Sequence, residues 1–371
     1  MSTAPAPAPA EPADVKPGPL LEVEHLKVYF PIKSGAVLSR TTGNVHAVDD
    51  VSLRLTEGET LGIVGESGCG KSTLIRSIVR LAPPTGGVVR FRGRDITSAG
   101  RRELQPIRHE MQMVFQDPQA SLNPRKRIAQ IIATPLRARG VPRDELEDRS
   151  RALVAQVGLN PEHLNRFPHE FSGGQRQRVG IARALAVEPK LILLDEPVSA
   201  LDVSIQAQVI NLLEELQETL GLSYIFVAHD LSVVRHVSDR VAVMYLGKVM
   251  ELSSADELYT KPIHPYTSAL LAAIPIPDPR ENRARVRTVL SGEPPNPINP
   301  PSGCRFHTRC RYATDVCRSV EPPLAEYPGG HLAACHHPLN VTPAELGATN
   351  RSPASPLSSG QELPDPATAA E

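Results

Sequence analysis

The sequence carries almost no net charge: 40 Lys and Arg against 41 Asp and Glu leave −1 over 371 residues. A general polyanion binder presents a strongly basic face, so nucleic acid is not the expected partner. No run approaches the roughly 18 apolar residues that cross a bilayer as a helix. The first residues also lack the basic and apolar regions of a secretory signal. The expectation is a soluble, cytosolic chain that meets a membrane only through partners. Cysteine is scarce, with five in all, and four of them fall in one C-terminal stretch.

Proline, by contrast, is abundant: 37 residues, about twice the usual share of ~5%. It clusters. Residues 1–19 are an Ala/Pro run that cannot bury enough surface to fold, and residues 341–371 read as a second disordered segment. A third cluster, Pro275 to Pro301, separates two ordered regions. Between these marks, residues 20–262 alternate strand-like and helix-like signals, the pattern of an α/β domain. Strands are expected at Leu21–Val28, Val51–Leu55, Thr60–Val64, Leu191–Leu194 and Tyr224–Ala228, and a hairpin at Val241–Tyr245 and Lys248–Leu252 around Leu246-Gly247. Leu74, Ile75, Ile78 and Val79 share one helical face. Ile205, Val209, Leu212, Leu216 and Leu220 stripe another, stopped by Gly221. Residues 118–180, richer in helical signals, read as a helical insertion.

Three segments carry chemistry. Gly65-Glu-Ser67-Gly68-Cys69-Gly70-Lys71-Ser72 fits the phosphate-loop pattern between a strand and a helix. Its glycines let backbone N–H groups curl round phosphate oxygens, and the helix start adds its positive end. Lys71 is expected at the β/γ-phosphates, Ser72 on Mg²⁺ and Thr73 in support. Leu191-Ile-Leu-Leu-Asp195-Glu196 buries a central strand and presents two acids at its C-terminal end, where ligands bind open α/β sheets. Asp195 is expected to hold Mg²⁺ and Glu196 to act as general base toward water. Ser172-Gly173-Gly174-Gln175, after Phe171, opens a helix and offers another anion-ready N-terminus.

Together these residues resemble the motif set of ATP-binding cassette (ABC) ATPases, in order. Gln116, in Met113-Val-Phe-Gln116-Asp-Pro118, matches the Q-loop; Ser199-Ala-Leu-Asp202 matches the D-loop; His229 matches the switch histidine. The resemblance implies a P-loop NTPase fold: a RecA-like core, an antiparallel β subdomain and a helical subdomain at about 118–180. It implies that two cassettes sandwich ATP, so that Ser172, Gly173, Gly174, Gln175 and Asp202 serve the partner's nucleotide. Gln116 would contact Mg²⁺ or water, His229 would steady the γ-phosphate with Glu196, and Phe30 would stack on adenine, with Tyr29 as a substitute.

Gln116-Asp-Pro-Gln-Ala-Ser-Leu-Asn-Pro-Arg125, His46-Ala-Val-Asp-Asp-Val51, His264-Pro-Tyr266 and Gly303-Cys-Arg-Phe306 further resemble the second ATPase subunit of dipeptide/oligopeptide importers. That resemblance implies a sister ATPase chain, two membrane permeases, a periplasmic or lipid-anchored solute-binding protein, and a peripheral place on the cytoplasmic face of the inner membrane. Residues 117–125 would abut the permease. Di- or oligopeptides are the expected cargo, with nickel or another small solute as the alternative; a soluble ABC ATPase without transport is the runner-up class. Residues 263–340 would form a C-terminal region holding a small Cys-rich module. Cys304, Cys310, Cys317 and Cys335 are there, in a chain expected in a reducing compartment, so thiolate ligation is favoured over disulfides. Four thiolates suit a [4Fe–4S] cluster or Zn²⁺; related importer ATPases point to the cluster. Metal-free thiols, and ligation by His307, His331, His336 or His337, stay open.

Overall fold

The computed structural model describes residues 18–34, 40–117, 121–274 and 292–348. The expected Ala/Pro lead-in apart from Gly18 and Pro19, most of the Pro275–Pro301 cluster, Pro118–Ala120 of the Q-loop extension and the chain beyond Ala348 lie outside the described residues.

Two sheets organise the domain. Strands β1 (Leu21–Ser34) and β2 (Arg40–Leu55) pair antiparallel and, with β4 (Gly86–Phe91) and β5 (Arg94–Asp95), form a four-stranded sheet in the order β2-β1-β4-β5. The larger sheet has eight strands. Its parallel centre consists of β3 (Thr60–Val64), β6 (Met111–Val114), β7 (Leu191–Asp195), β8 (Ser223–Val227) and β9 (Arg240–Tyr245). Strands β10 (Lys248–Ser254), β12 (His331–Ala333) and β11 (Ala325–Tyr327) continue it antiparallel.

Strands β3, β7 and β8 are buried along their whole length, as near-continuous apolar runs in a covered parallel sheet should be. Their alternation divides the core. Leu191 and Leu193 face the antiparallel sheet with Leu26, Val48 and Leu74. Ile192 and Leu194 face the helices with Val179, Val209 and Leu213. Those helices are α3 (Ile128–Arg139), α4 (Leu146–Gln156), α5 (Gly173–Leu185) and α6 (Val203–Leu220), following α1 (Lys71–Ile78) and α2 (Arg101–Glu110). The helical insertion expected at about 118–180 is therefore α3, α4 and the start of α5, set between β6 and β7.

Four expectations change. Strand β1 runs past Val28 to Ser34 and β2 begins at Arg40 rather than Val51, because cross-strand pairing extends through polar residues whose local propensity reads as loop. Strand β4 and α2 lie where no element was expected; α2 is mostly charged, contains Pro106 and buries only Leu104 and Ile107. The Cys-rich segment is not a free-standing module: β12 pairs with β10 through Glu251–Ala333 and Leu252–Leu332, and Cys304, Phe306 and Cys317 belong to the main core. Finally, the segment expected to be disordered from 341 starts with a short helix, Pro343–Ala348. Thr342 and Glu345 cap it reciprocally, Glu345 accepting the Thr342 N–H at 2.7 Å, while Val341 and Leu346 pack under β11.

Candidate nucleotide site

The loop Gly65–Gly70 joins the buried end of β3 to α1, and its shape depends on glycine. A Cβ at Gly70 (φ 107°) would lie 2.0 Å from the Ala47 carbonyl oxygen, and one at Gly65 would lie 2.2 Å from that of Met244. No side chain fits either position. Ser67 and Gly68 form the exposed tip, while Cys69 is buried and packs toward the Gly65 backbone. Burial pushes the Cys69 thiol up, so it acts as a small apolar filler. The Lys71 ammonium is drawn inside the loop, donating to the carbonyls of Gly65 (2.7 Å) and Glu66 (3.0 Å). Half-buried Ser72 and Thr73 follow in the first turn of α1.

Strand β7 delivers the acids. Asp195 is fully buried, accepting from the Ser72 hydroxyl at 2.7 Å and from Arg76 at 3.2 Å. A carboxylate beside a hydroxyl is the hard-oxygen donor pair that Mg²⁺ takes, since that ion keeps several waters and draws its other ligands from phosphates. The residues therefore fit the ion, and Arg76, absent from the sequence reading, is an additional partner of the carboxylate. Glu196 turns away with φ 46°, a conformation rare outside glycine. Its N–H donates to the Val227 carbonyl at 3.0 Å, and its own carbonyl accepts from Ser199 Oγ at 3.1 Å. Gln116, beyond the end of β6, donates to Glu196 Oε2 at 2.9 Å. His229, beyond the end of β8, places Nδ1 3.6 Å from the same oxygen. Three motifs that are 80 and 33 residues apart in sequence thus converge on one carboxylate.

Phe30 stands 43% exposed on β1, as a stacking platform for a base should. Tyr29 is used otherwise: its ring lies 4.3 Å from that of His46 and its hydroxyl donates to Asp49. Of the two aromatics, the structure leaves Phe30 available.

Ser172 caps α5. Its hydroxyl accepts from the Gln175 N–H at 3.3 Å, and Gln175 returns a bond to the Ser172 N–H at 3.0 Å. Phe171 anchors the turn in the core. Gly173 and Gly174 let α5 press against the segment around Asp202, the residue that precedes α6: a Cβ on Gly174 would meet Ile205 at 2.3 Å. Exposed Ser172 and Asp202 therefore share one surface. Among the described residues, no hydrogen bond links this surface to the chain's own phosphate loop.

Among the described residues, Cys304, Cys310, Cys317 and Cys335 form no disulfide. Burial pushes Cys304 and Cys310 up to about 11 and Cys335 well above the usual thiol range, each raised further by neighbouring cysteines of the same set. The expected [4Fe–4S] or Zn²⁺ site finds no support: among the described residues, no three Cys, His, Asp or Glu side chains are arranged to hold a metal ion. The neighbouring histidines are engaged elsewhere. His331 contacts Glu251 at 2.7 Å, His307 the Cys304 carbonyl, His336 the Val320 carbonyl and His337 the Thr314 hydroxyl.

The chain is similar to known proteins over most of its length. The ABC transporter family profile matches residues 48–199, and that of the oligopeptide/dipeptide transporter C-terminal region matches 250–317. The oligopeptide transport ATP-binding protein AppF of Bacillus subtilis is 56% identical over 85% of this chain and 97% of its own length. The oligopeptide transport ATP-binding protein OppF of Escherichia coli is 56% identical over 87% and 97%. Among solved structures, cbiO1 of Clostridium perfringens, part of the ABC transporter complex cbiONQ, has a TM-score of 0.57 at 29% identity, over 65% of this chain and 90% of that one. The cassette MJ0796, solved as a dimer in a post-hydrolysis state with ADP and Pi, has a TM-score of 0.57 at 30% identity, over 63% and 98%.

Proposed function

Because this chain belongs to the family of ABC transporter ATP-binding proteins that serve oligopeptide transport, we propose that it is the ATP-hydrolysing subunit of a peptide importer. The observation that carries the reading is the convergence of Gln116 and His229 on Glu196, one residue after the Asp195–Ser72 pair. Lys71, Ser72 and the loop N–H groups bind the triphosphate, and Phe30 takes the base. Ser72, Asp195 and Gln116 would hold Mg²⁺, which would supply charge neutralisation for the triphosphate. Glu196 accepts the proton of the attacking water; Gln116 and His229 fix its carboxylate and the water's approach. The exposed surface of Ser172, Gly173, Gly174, Gln175 and Asp202 serves the nucleotide of a second cassette, a sister chain.

Among the described residues, no helix is long and apolar enough to cross a membrane, so two permease chains supply the pore. The cassette works from the cytoplasmic face of the inner membrane, with residues 117–125 against the permeases and a solute-binding protein delivering peptide outside. Closure around ATP and reopening after hydrolysis move the permeases between access states. Copurification tests this assembly: the permeases and a peptide-loaded binding protein should come with the chain, and a chain that purifies from membranes without them contradicts it.

The four thiols form a separate proposal, supported by donor chemistry alone. Cys304, Cys310, Cys317 and Cys335, as thiolates, would hold a [4Fe–4S] cluster, with Zn²⁺ as the alternative ion. Anaerobic preparations should show visible absorption and about four iron atoms per chain. Zinc without that absorption selects the alternative, and a metal-free folded protein rejects both.

A further inference from the structure

Two arginines that no site assignment above uses reach the nucleotide groove from the C-terminal segment. Arg309 forks onto Glu66, the second residue of the phosphate loop, with Nη1–Oε2 2.7 Å and Nη2–Oε1 3.0 Å. Its side chain is only 6% exposed, so this is a sheltered, bidentate pair rather than a surface ion pair. Tyr266 secures the same loop residue by accepting the Glu66 N–H at 3.0 Å, and Arg309 also donates to Tyr245 at 3.4 Å. Four residues earlier, Arg305 donates to Asp49, which also takes the Tyr29 hydroxyl beside Phe30, and to the Leu246 carbonyl. The Leu246-Gly247 turn closes the network: the Gly247 N–H donates to the Cys69 carbonyl at 2.8 Å, and its carbonyl accepts from the Asp49 N–H at 2.8 Å.

Glu66 is an anion on a loop built to bind a polyanion. Unpaired, its carboxylate would repel the triphosphate and be free to swing across the loop mouth. Paired with Arg309, it is neutralised and immobilised. We propose that Arg309 is a positioning residue for ATP binding, pinning and neutralising Glu66 so that the C-terminal segment sets the phosphate loop's affinity for nucleotide. The inference rests on the phosphate-loop assignment made above. It adds that a segment about 240 residues distant in sequence is part of the binding apparatus.

The test is fluorescent mant-ATP binding to the full chain, with ATPase kinetics alongside. Arg309→Ala should raise Kd and KM about tenfold while kcat at saturating ATP stays within about twofold. Adding Glu66→Gln should recover most of the lost affinity, because the unpaired charge is then gone. If Arg309→Ala does not fold, Arg309→Gln carries the same comparison. Unchanged Kd, or a double variant as weak as the single, overturns the proposal, since a mere packing staple would not be rescued by removing a charge. Lys71→Ala separates the two levels. Parent-like binding by that variant would discard the loop assignment itself, whereas lost binding there with normal binding by the Arg309 variants discards only this inference.

Discussion

Glu196 occupies a backbone conformation that a non-glycine residue adopts only when its surroundings hold it. The bond from its N–H to Val227 and the Ser199 hydroxyl on its carbonyl do so, leaving the carboxylate to Gln116 and His229. Glu196→Gln keeps that hydrogen-bonding shape and removes the base. It should bind ATP with near-parent affinity while kcat falls by about 10²–10⁴; steady-state hydrolysis beside nucleotide binding checks this. A second residue-scale prediction concerns His264. It is buried and its Nδ1 accepts the Tyr266 N–H at 3.0 Å, so the fold needs it neutral; burial pushes it down to about 4, partly opposed by Glu251. The unfolded chain protonates this group near pH 6.5 while the folded chain resists until about pH 4. Stability from His264 is thus complete above pH 6.5 and is lost as pH falls through that window, by on the order of 3 kcal/mol. Melting temperatures at pH 7.5 and 5 should diverge less in His264→Asn than in the parent chain.

At the scale of elements, the contact between α5 and α6 is tightly constrained. Ile205 is β-branched and has little χ1 freedom in a helix, so a methyl on Gly174 has nowhere to go. Gly174→Ala should lower stability by about 1–3 kcal/mol and distort the Ser172 surface. Pairing it with Ile205→Ala should restore much of both, measured by melting and hydrolysis. The buried Glu251 is the corresponding anchor for the C-terminal segment: it accepts the N–H groups of Ile263 (2.6 Å) and His264 (3.0 Å) and contacts His331 on β12. Glu251→Ala should cost roughly 3–5 kcal/mol, because several buried donors lose their partner at once. Chemical denaturation measures it.

Elements were legible wherever local pattern and tertiary demand coincide. The apolar runs of β3, β7 and β8, the hairpin at Leu246-Gly247 and the stripe of α6 all read directly, and so did the ordered motifs of the site. Strand β4 did not, because it opens on two glycines, and α2 did not, because it is charge-rich and buries only Leu104 and Ile107. Thr342-Pro-Ala-Glu345 carries a capping-box signal that the proline-rich composition around it obscured. Nothing local could reveal that Arg309 meets Glu66, since that pair is created only when the C-terminal segment packs onto the β9–β10 turn.

For the whole molecule, two separate surfaces govern the proposed function. One surface gathers Lys71, Ser72, Asp195, Glu196, Gln116 and His229. The other presents Ser172 and Asp202 and makes no hydrogen bond to the first among the described residues. In the function proposed above, a single chain holds two halves of different sites, and turnover requires a second cassette. Peptide import driven by hydrolysis at Glu196 can be measured as ATP-dependent uptake of a labelled oligopeptide into proteoliposomes. These would carry the assembled transporter with either the parent chain or Glu196→Gln. Uptake should proceed with the parent chain and stop with the variant; uptake that continues with Glu196→Gln would contradict the account.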